Sequence, residues 1–354
     1  MSTDQTVAPS TLAMNRFLAN APGLSEPRVA VSIPGLPTLP GLKLLARERM
    51  AQGFEVIDQS AGDIADVNQP MSEDFTAWID EVRSQMAAKG IAQYAATNHT
   101  PYGYPGNYIQ QFPLVVDKLW ESWGARKTAC VGIQTNSGRT ILDFAFRGLM
   151  ARIVDINPNA QRALILDPIA WSGYKPLARD LNLKLINSPV MPGHGLASSA
   201  EGLRASVAFA KSQGLQPIGM VPIIPSNPAG VGMERGHLKE LVEAGAELDI
   251  PVMIDAFYSP LAPEGHPTAI PLSFLEDVLT PEVLAYLGVI VGETKVVSSQ
   301  NKTGSLLWFG PEGQRAIAEK VVGTAKQRMC TTNAYPRPQE ALVAYALHTF
   351  PDGI

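Results

Sequence analysis

The chain has 354 residues, room for one large core and a smaller appended unit. Hydrophobic residues make up 45% and charged residues 17%, which excludes a disordered chain and supplies enough apolar material for a sizeable core. Lys and Arg number 28 against 33 Asp and Glu, a net charge of −5, and the basic residues are scattered, so neither nucleic acid nor an anionic membrane is an expected partner.

Cys130 and Cys330 are the two cysteines, too few for a disulfide scaffold, which points to a reducing interior. Residues 1–20 lack a basic segment followed by an apolar core. The longest apolar stretches, such as Leu284–Val291, fall far short of the roughly 18 residues that span a bilayer. The expectation is a soluble cytoplasmic protein.

Residues 1 to about 50 are rich in Pro, Ser and Ala, and the run from Pro34 to Gly41 cannot continue a helix, so this part reads as an extended arm. From Glu73 onward, short apolar runs alternate with amphipathic stretches, the pattern of a parallel sheet covered by helices. Helical periodicity occupies 75–88, 140–150, 171–181, 201–213, 234–248 and 311–324. The expected strands are 129–134, 163–166, 183–186, 218–224, 252–254 and 289–291.

Open sheets of this kind bind ligands at the carboxyl ends of their strands. The first such end carries Thr135-Asn136-Ser137-Gly138-Arg139-Thr140, a turn into a helix whose free N–H groups suit a phosphate, or equally an ordinary Ser N-cap. The next carries Asp167-Pro168-Ile169-Ala170-Trp171, whose indole is either core or a stacking surface. Then comes Ser226-Asn227-Pro228-Ala229-Gly230, a rigid turn presenting an amide. Asp255-Ala256-Phe257-Tyr258 follows, read either as an acid–phenol pair or as a helix cap beside a surface Tyr. Gly292-Glu293-Thr294-Lys295 is last, placing an amine at the end of an apolar strand, where a desolvated lysine can form a Schiff base. Most lysines are solvated surface groups, and that reading stays open for Lys295 alone.

Taken together, the five ends offer an anion cradle, a flat ring, an amide, an acid with a phenol, and an amine. Those are the parts a pyridoxal 5′-phosphate (PLP) site requires. In these segments the chain resembles the class I/II aminotransferases, the aspartate and aromatic branch of fold-type I PLP enzymes, from about Phe54 to the C-terminus. Ser226–Gly230 is similar to the family's Asn-Pro-Thr-Gly motif, and Asp255–Tyr258 to its Asp-x-x-Tyr element, 28 residues on from Asn227.

The resemblance implies a three-layer α/β/α fold with a mostly parallel sheet and an incomplete small domain. Residues 1–75 would form an arm and small-domain segment, and 76–354 the large PLP-binding domain. It implies Lys295, Asp255 and Tyr258 as catalytic residues. Ser137, Gly138, Arg139, Trp171, Asn227, Thr294 and Lys302 would join them in holding the cofactor, with Tyr102 reaching the neighbouring subunit's phosphate and Tyr94 and Tyr104 as alternatives to it. Gly62 and Arg328 would meet the substrate, and a homodimer follows, because family sites borrow residues from the neighbouring subunit. The chain departs from the family at Gly292-Glu293-Thr294-Lys295, where Ser-x-Ser-Lys is usual, and at Lys302, which stands for an arginine.

The implied reaction moves an amino group between an amino acid and a 2-oxo acid. The alternatives are a lyase, decarboxylase or oxidase on the same fold, or a non-catalytic member of it. Metal and triad chemistry find no motif: the five histidines are dispersed, and His-Glu-x-x-His, Cys-x-x-Cys and Gly-x-Ser-x-Gly are absent.

Overall fold

Aliphatic and β-branched runs of four to seven residues, bounded by Pro, Gly, Asp and Asn, build the central sheet. The structure is a computed structural model and describes residues 26–29, 51–52, 73–88, 130–154, 158–259, 272–295, 302–332 and 334–350. The strands are β1 (Arg28–Val29), β2 (Cys130–Thr135), β3 (Gln161–Leu166), β4 (Lys184–Asn187), β5 (Leu215–Val221), β6 (Val252–Asp255), β7 (Leu287–Val291) and β8 (Gly304–Phe309). They form one sheet in the order β1-β4-β3-β5-β6-β7-β8-β2.

Strands β4, β3, β5, β6 and β7 run parallel to one another. The short β1 is antiparallel to β4, and β8 is antiparallel to both its neighbours, β7 and β2. Because two antiparallel steps restore direction, β2 points the same way as the parallel block. All five chemistry-bearing strand ends therefore lie along one edge.

The helices are α1 (Glu73–Ala88), α2 (Gly138–Val154), α3 (Tyr174–Asp180), α4 (Ala200–Ser212), α5 (Arg235–Glu247), α6 (Leu272–Val278), α7 (Pro281–Leu284), α8 (Ala316–Thr332) and α9 (Pro338–Leu347). Side chains alternate across a strand, so β7 sends Val289 and Val291 to one face and Ile290 to the other, all buried. On the first face they join Leu203 and Val207 of α4 and Leu238 and Leu241 of α5. On the second they join Phe146 and Leu149 of α2 and Val321 and Val322 of α8. This is the three-layer α/β/α arrangement, and each fully buried aliphatic side chain contributes about 1.5–3 kcal/mol to it. A Cβ on Gly148 would fall 2.4 Å from the Val321 carbonyl oxygen, so glycine there lets α2 and α8 approach closely.

The structure differs from the sequence expectation in several elements. The strand expected over 218–224 starts and stops three residues earlier, because Pro222 has no N–H for the ladder; Ile223 still bridges to Asp255. Strand β8 and helix α9 were not among the expected elements. The helix expected over 311–324 begins at Ala316, after a turn in which Gly313 takes φ +76°, and runs to Thr332. Helices α1 and α9 share an apolar cluster of their own, including Phe75, Ile79, Leu342 and Leu347.

Candidate functional site

At the end of β6, Asp255 is 5% exposed, and its main chain is locked from both sides: its N–H donates to the Pro222 carbonyl and its carbonyl accepts from Ile224, each at 2.9 Å. The carboxylate accepts a hydrogen bond from the Tyr174 hydroxyl at 2.5 Å, at Oδ2, and a longer one from the Phe257 N–H at 3.4 Å, at Oδ1. Burial raises the Asp255 pKa to about 6, with both hydrogen bonds opposing the rise. Burial, and then the Asp255 charge, pushes the Tyr174 hydroxyl well above its ordinary value, so it remains a donor.

A second buried acid lies behind the first. Asp167, directly after β3, accepts from the Ser198 hydroxyl and, at 2.8 Å, from the Ile223 N–H. Burial is the main cause of its pKa of about 7; the two hydrogen bonds pull it down and the neighbouring Asp255 adds to the rise. By binding the Ile223 N–H, Asp167 ties the end of β3 to the segment that leads from β5 to Asn227.

Asn227 sits on a turn closed by the Gly230 N–H to the Ser226 carbonyl (2.7 Å) and the Ser226 N–H to the Val231 carbonyl (2.8 Å). Gly230 takes φ +67°, a backbone conformation other residues rarely adopt. The Asn227 amide donates to the Tyr258 hydroxyl at 3.4 Å, and the Lys295 Nζ stands 5.4 Å from the centre of the Tyr258 ring. The structure thus brings Asn227, Tyr258 and Lys295 into one group. Lys295 and Thr294 are half-buried in a 3₁₀ turn, Glu293–Lys295, that follows β7 after Gly292.

The start of α2 lies against the same edge. Ser137 is its N-cap: Oγ accepts the Thr140 N–H at 3.1 Å and lies 2.7 Å from the Thr140 hydroxyl oxygen. A Cβ on Gly138 would fall 2.6 Å from the Phe257 ring, and one on Gly292 would fall 2.5 Å from it. Two glycines therefore admit the Phe257 ring between the helix start and the lysine turn. Trp171 packs edge-on against Tyr174 at 5.5 Å and carries the exposed Arg139 guanidinium 6.0 Å above its ring.

Lys302 is exposed at the approach to β8. Arg328 is half-buried on α8 and lines, with Asn136, Arg139, Thr140 and Thr332, an open cleft of about 430 Å³. Gly62 and Tyr102, with the alternatives Tyr94 and Tyr104, lie outside the described residues. Sequence reasoning missed Tyr174, Asp167 and Glu293. Tyr174 follows Trp171 by three residues, the spacing that stacks side chains on one helical face, and that was its available signal. Among the described residues no three His, Cys, Asp or Glu side chains group to hold a metal ion, and no helix is long and apolar enough to cross a membrane.

An edge of parallel strands gathering a lysine, a buried acid, an amide–phenol pair and a helix start, on a three-layer sheet, has the arrangement of a fold-type I enzyme. Residues 67–335 match the family model for aminotransferase class I and II, and the chain belongs to that PLP-dependent family. Solved structures agree in fold. Aspartate aminotransferase from Thermus thermophilus aligns over 90% of this chain and 71% of its own, at 16% identity and TM-score 0.58. The Thermotoga maritima aspartate aminotransferase gives 87% and 70%, at 18% identity and 0.61. Alanine aminotransferase from Pyrococcus furiosus gives 88% and 70%, at 18% identity and 0.62. No curated protein matches the chain.

Proposed function

We propose that this aminotransferase carries PLP on the Nζ of Lys295 and moves an amino group between an amino acid and a 2-oxo acid. The observation that carries the reading is the pairing of a buried, hydrogen-bonded acid on β6 with an amine just beyond β7, the neighbouring parallel strand, and the amide–phenol pair beside that amine. The donor set fits the cofactor. Asp255 is a buried carboxylate already supplied with a donor, so a cationic ring nitrogen would satisfy its charge. Ser137 and Gly138 open a 17-residue helix whose N-terminus suits a phosphate.

When bound, PLP supplies an aldehyde carbon that bonds an amine and a ring that accepts electrons. The chain's own residues then do the following. Asp255 would hold a proton on the ring nitrogen, and that positive partner would lower its pKa. Tyr174 holds the Asp255 carboxylate in place. Asn227 and Tyr258 donate hydrogen bonds to the ring oxygen, and Trp171 stacks on the ring. Ser137, Gly138, Arg139, Thr294 and Lys302 bind the phosphate. Lys295 would hold the cofactor through its amine, and that amine would be the base that carries the proton from the substrate Cα to the cofactor's aldehyde-derived carbon. Arg328, Gly62 and the neighbouring subunit's copy of the Tyr102 region complete a homodimeric site.

Borohydride reduction of the PLP-loaded protein, followed by peptide mass mapping, tests this reading. The expected outcome is a pyridoxyl group on Lys295, together with 2-oxo acid formed from an amino acid donor. A label on another lysine, or none, would overturn it.

A further inference from the structure

Glu293 is a carboxyl residue 1% exposed to solvent, two positions before Lys295 in the same 3₁₀ turn. Its Oε1 lies 3.4 Å from the His348 Nε2, while its Oε2 has no protein hydrogen-bond partner. The nearby Thr303 hydroxyl, also buried, makes no hydrogen bond to it either. The end of β7 and the start of β8 run side by side here: Val291 pairs with Ser305, and a Cβ on Gly292 would meet the Thr303 carbonyl oxygen at 2.4 Å. Among the described residues, His348 is therefore what anchors the Glu293 carboxyl. An acid buried with half of its acceptors unmet is costly, and a residue with no role there would be better replaced by an apolar one.

His348 does not belong to the sheet. It closes the C-terminal end of α9, where its backbone N–H bonds to the Ala344 carbonyl. Helix α9 packs on α1 through an apolar cluster distinct from the two that line the sheet faces. The Trp78 indole of α1 also bonds to the Ala346 carbonyl, two residues before His348. The α1–α9 pair is thus a packed unit in its own right, and the His348–Glu293 contact passes from it to the lysine turn. A single 3₁₀ turn has poor hydrogen-bond geometry and few backbone bonds, so side-chain anchors decide how its last residue points.

We infer that Glu293 and His348 form a brace through which the α1–α9 helix pair sets the orientation of the Lys295 turn, with Glu293 a positioning residue rather than a catalytic one. The consequence for the amine rests on the proposed role of Lys295; the brace itself does not.

Two measurements separate those parts. In cofactor-free protein, His348→Ala is expected to raise hydrogen exchange over residues 292–295 by about threefold to tenfold, the worth of one hydrogen bond. Glu293→Gln should do the same over 344–349, and the double variant should exceed neither single one by much. His348 is largely buried, with its side chain 12% exposed, but it lies at the C-terminal end of α9, where alanine keeps the backbone cap, so the His348→Ala variant is expected to fold. His348→Gln, which keeps a donor, should recover part of the effect. When PLP is added to cofactor-free protein, the rate at which the visible lysine-bound absorbance grows should fall by a similar factor in His348→Ala and recover in His348→Gln. Exchange changes confined to each variant's own segment, or additive in the double variant, overturn the brace. An unchanged absorbance rate overturns its link to Lys295. If wild-type protein places no cofactor on Lys295, the functional reading fails, and the exchange experiment still decides the brace.

Discussion

Asp255 and Lys295 follow neighbouring parallel strands, β6 and β7, yet the molecule holds them by different means. The acid is part of the sheet itself: its N–H and carbonyl are bonded to the segment after β5, its carboxylate to Tyr174, and a second acid, Asp167, lies behind it. The amine lies beyond the sheet, in a three-residue turn, half-buried, against the Tyr258 ring. A charge buried in apolar surroundings must be fixed and paired, whereas an amine that has to bond, release and carry protons needs room to swing. In the proposed function, the rigid end would set the electrostatics and the looser end would do the moving.

The sharpest way to break that contrast is to remove the rigid acid. Asp255→Ala should lower kcat by about 1000-fold, within the usual span for a group that holds a proton in the reaction. Retention of PLP should change far less, because the covalent bond and the phosphate contacts remain. Steady-state turnover and a cofactor absorbance titration on the same sample check both halves. Full activity in the variant would end the case for Asp255 as the ring-nitrogen partner.

The two buried acids also make a pH prediction. Their pKa values, about 7 for Asp167 and about 6 for Asp255, lie above the ordinary 3.8, so the folded state binds these protons more tightly than the unfolded state does. The stability they contribute is fully present below about pH 4 and is lost as pH rises through 6 and 7. For Asp167 alone the ceiling is about 4 kcal/mol. The melting temperature of cofactor-free protein should therefore fall between pH 5 and 7.5. Asp167→Asn, which cannot ionise, should flatten that slope. An equally steep slope in the variant would remove Asp167 as its source.

The same contrast governs how much was legible in the residues alone. Strand ends announce themselves where an apolar run stops at a polar residue, so the positions of Asp255, Asn227 and Lys295 at or just beyond strand ends could be read from pattern. The alternation of strands and helices likewise foretold the layered sheet. Strand β8 was not foreseen, although its run Gly304–Phe309 is as long as β2 and β3, and nothing local shows that it inserts antiparallel between β7 and β2. The supports of the site were hidden for a related reason. Tyr174 reaches Asp255 across 81 positions, and Glu293 meets His348 across 55. Such pairs are created by the closing of the fold, and periodicity carries no record of them.

Tyr174→Phe gives the smallest effect of the three substitutions at the buried acids and bears most directly on why the acid is rigid. The substitution keeps the ring that packs between Trp171 and Phe146 and deletes one oxygen, leaving Asp255 Oδ2 without its donor. A buried acceptor deprived of its partner costs about 1–3 kcal/mol. The Asp255 pKa should rise further above 6, because the lost hydrogen bond favoured the ionised form. In loaded enzyme, kcat should fall by about tenfold, with the acidic limb of its pH profile moved to higher pH, and KM should change little. A purely structural role for Tyr174 would lower the melting temperature and leave that limb where it was. The displacement of the limb therefore distinguishes a residue that tunes the acid from one that only fills the space beside it.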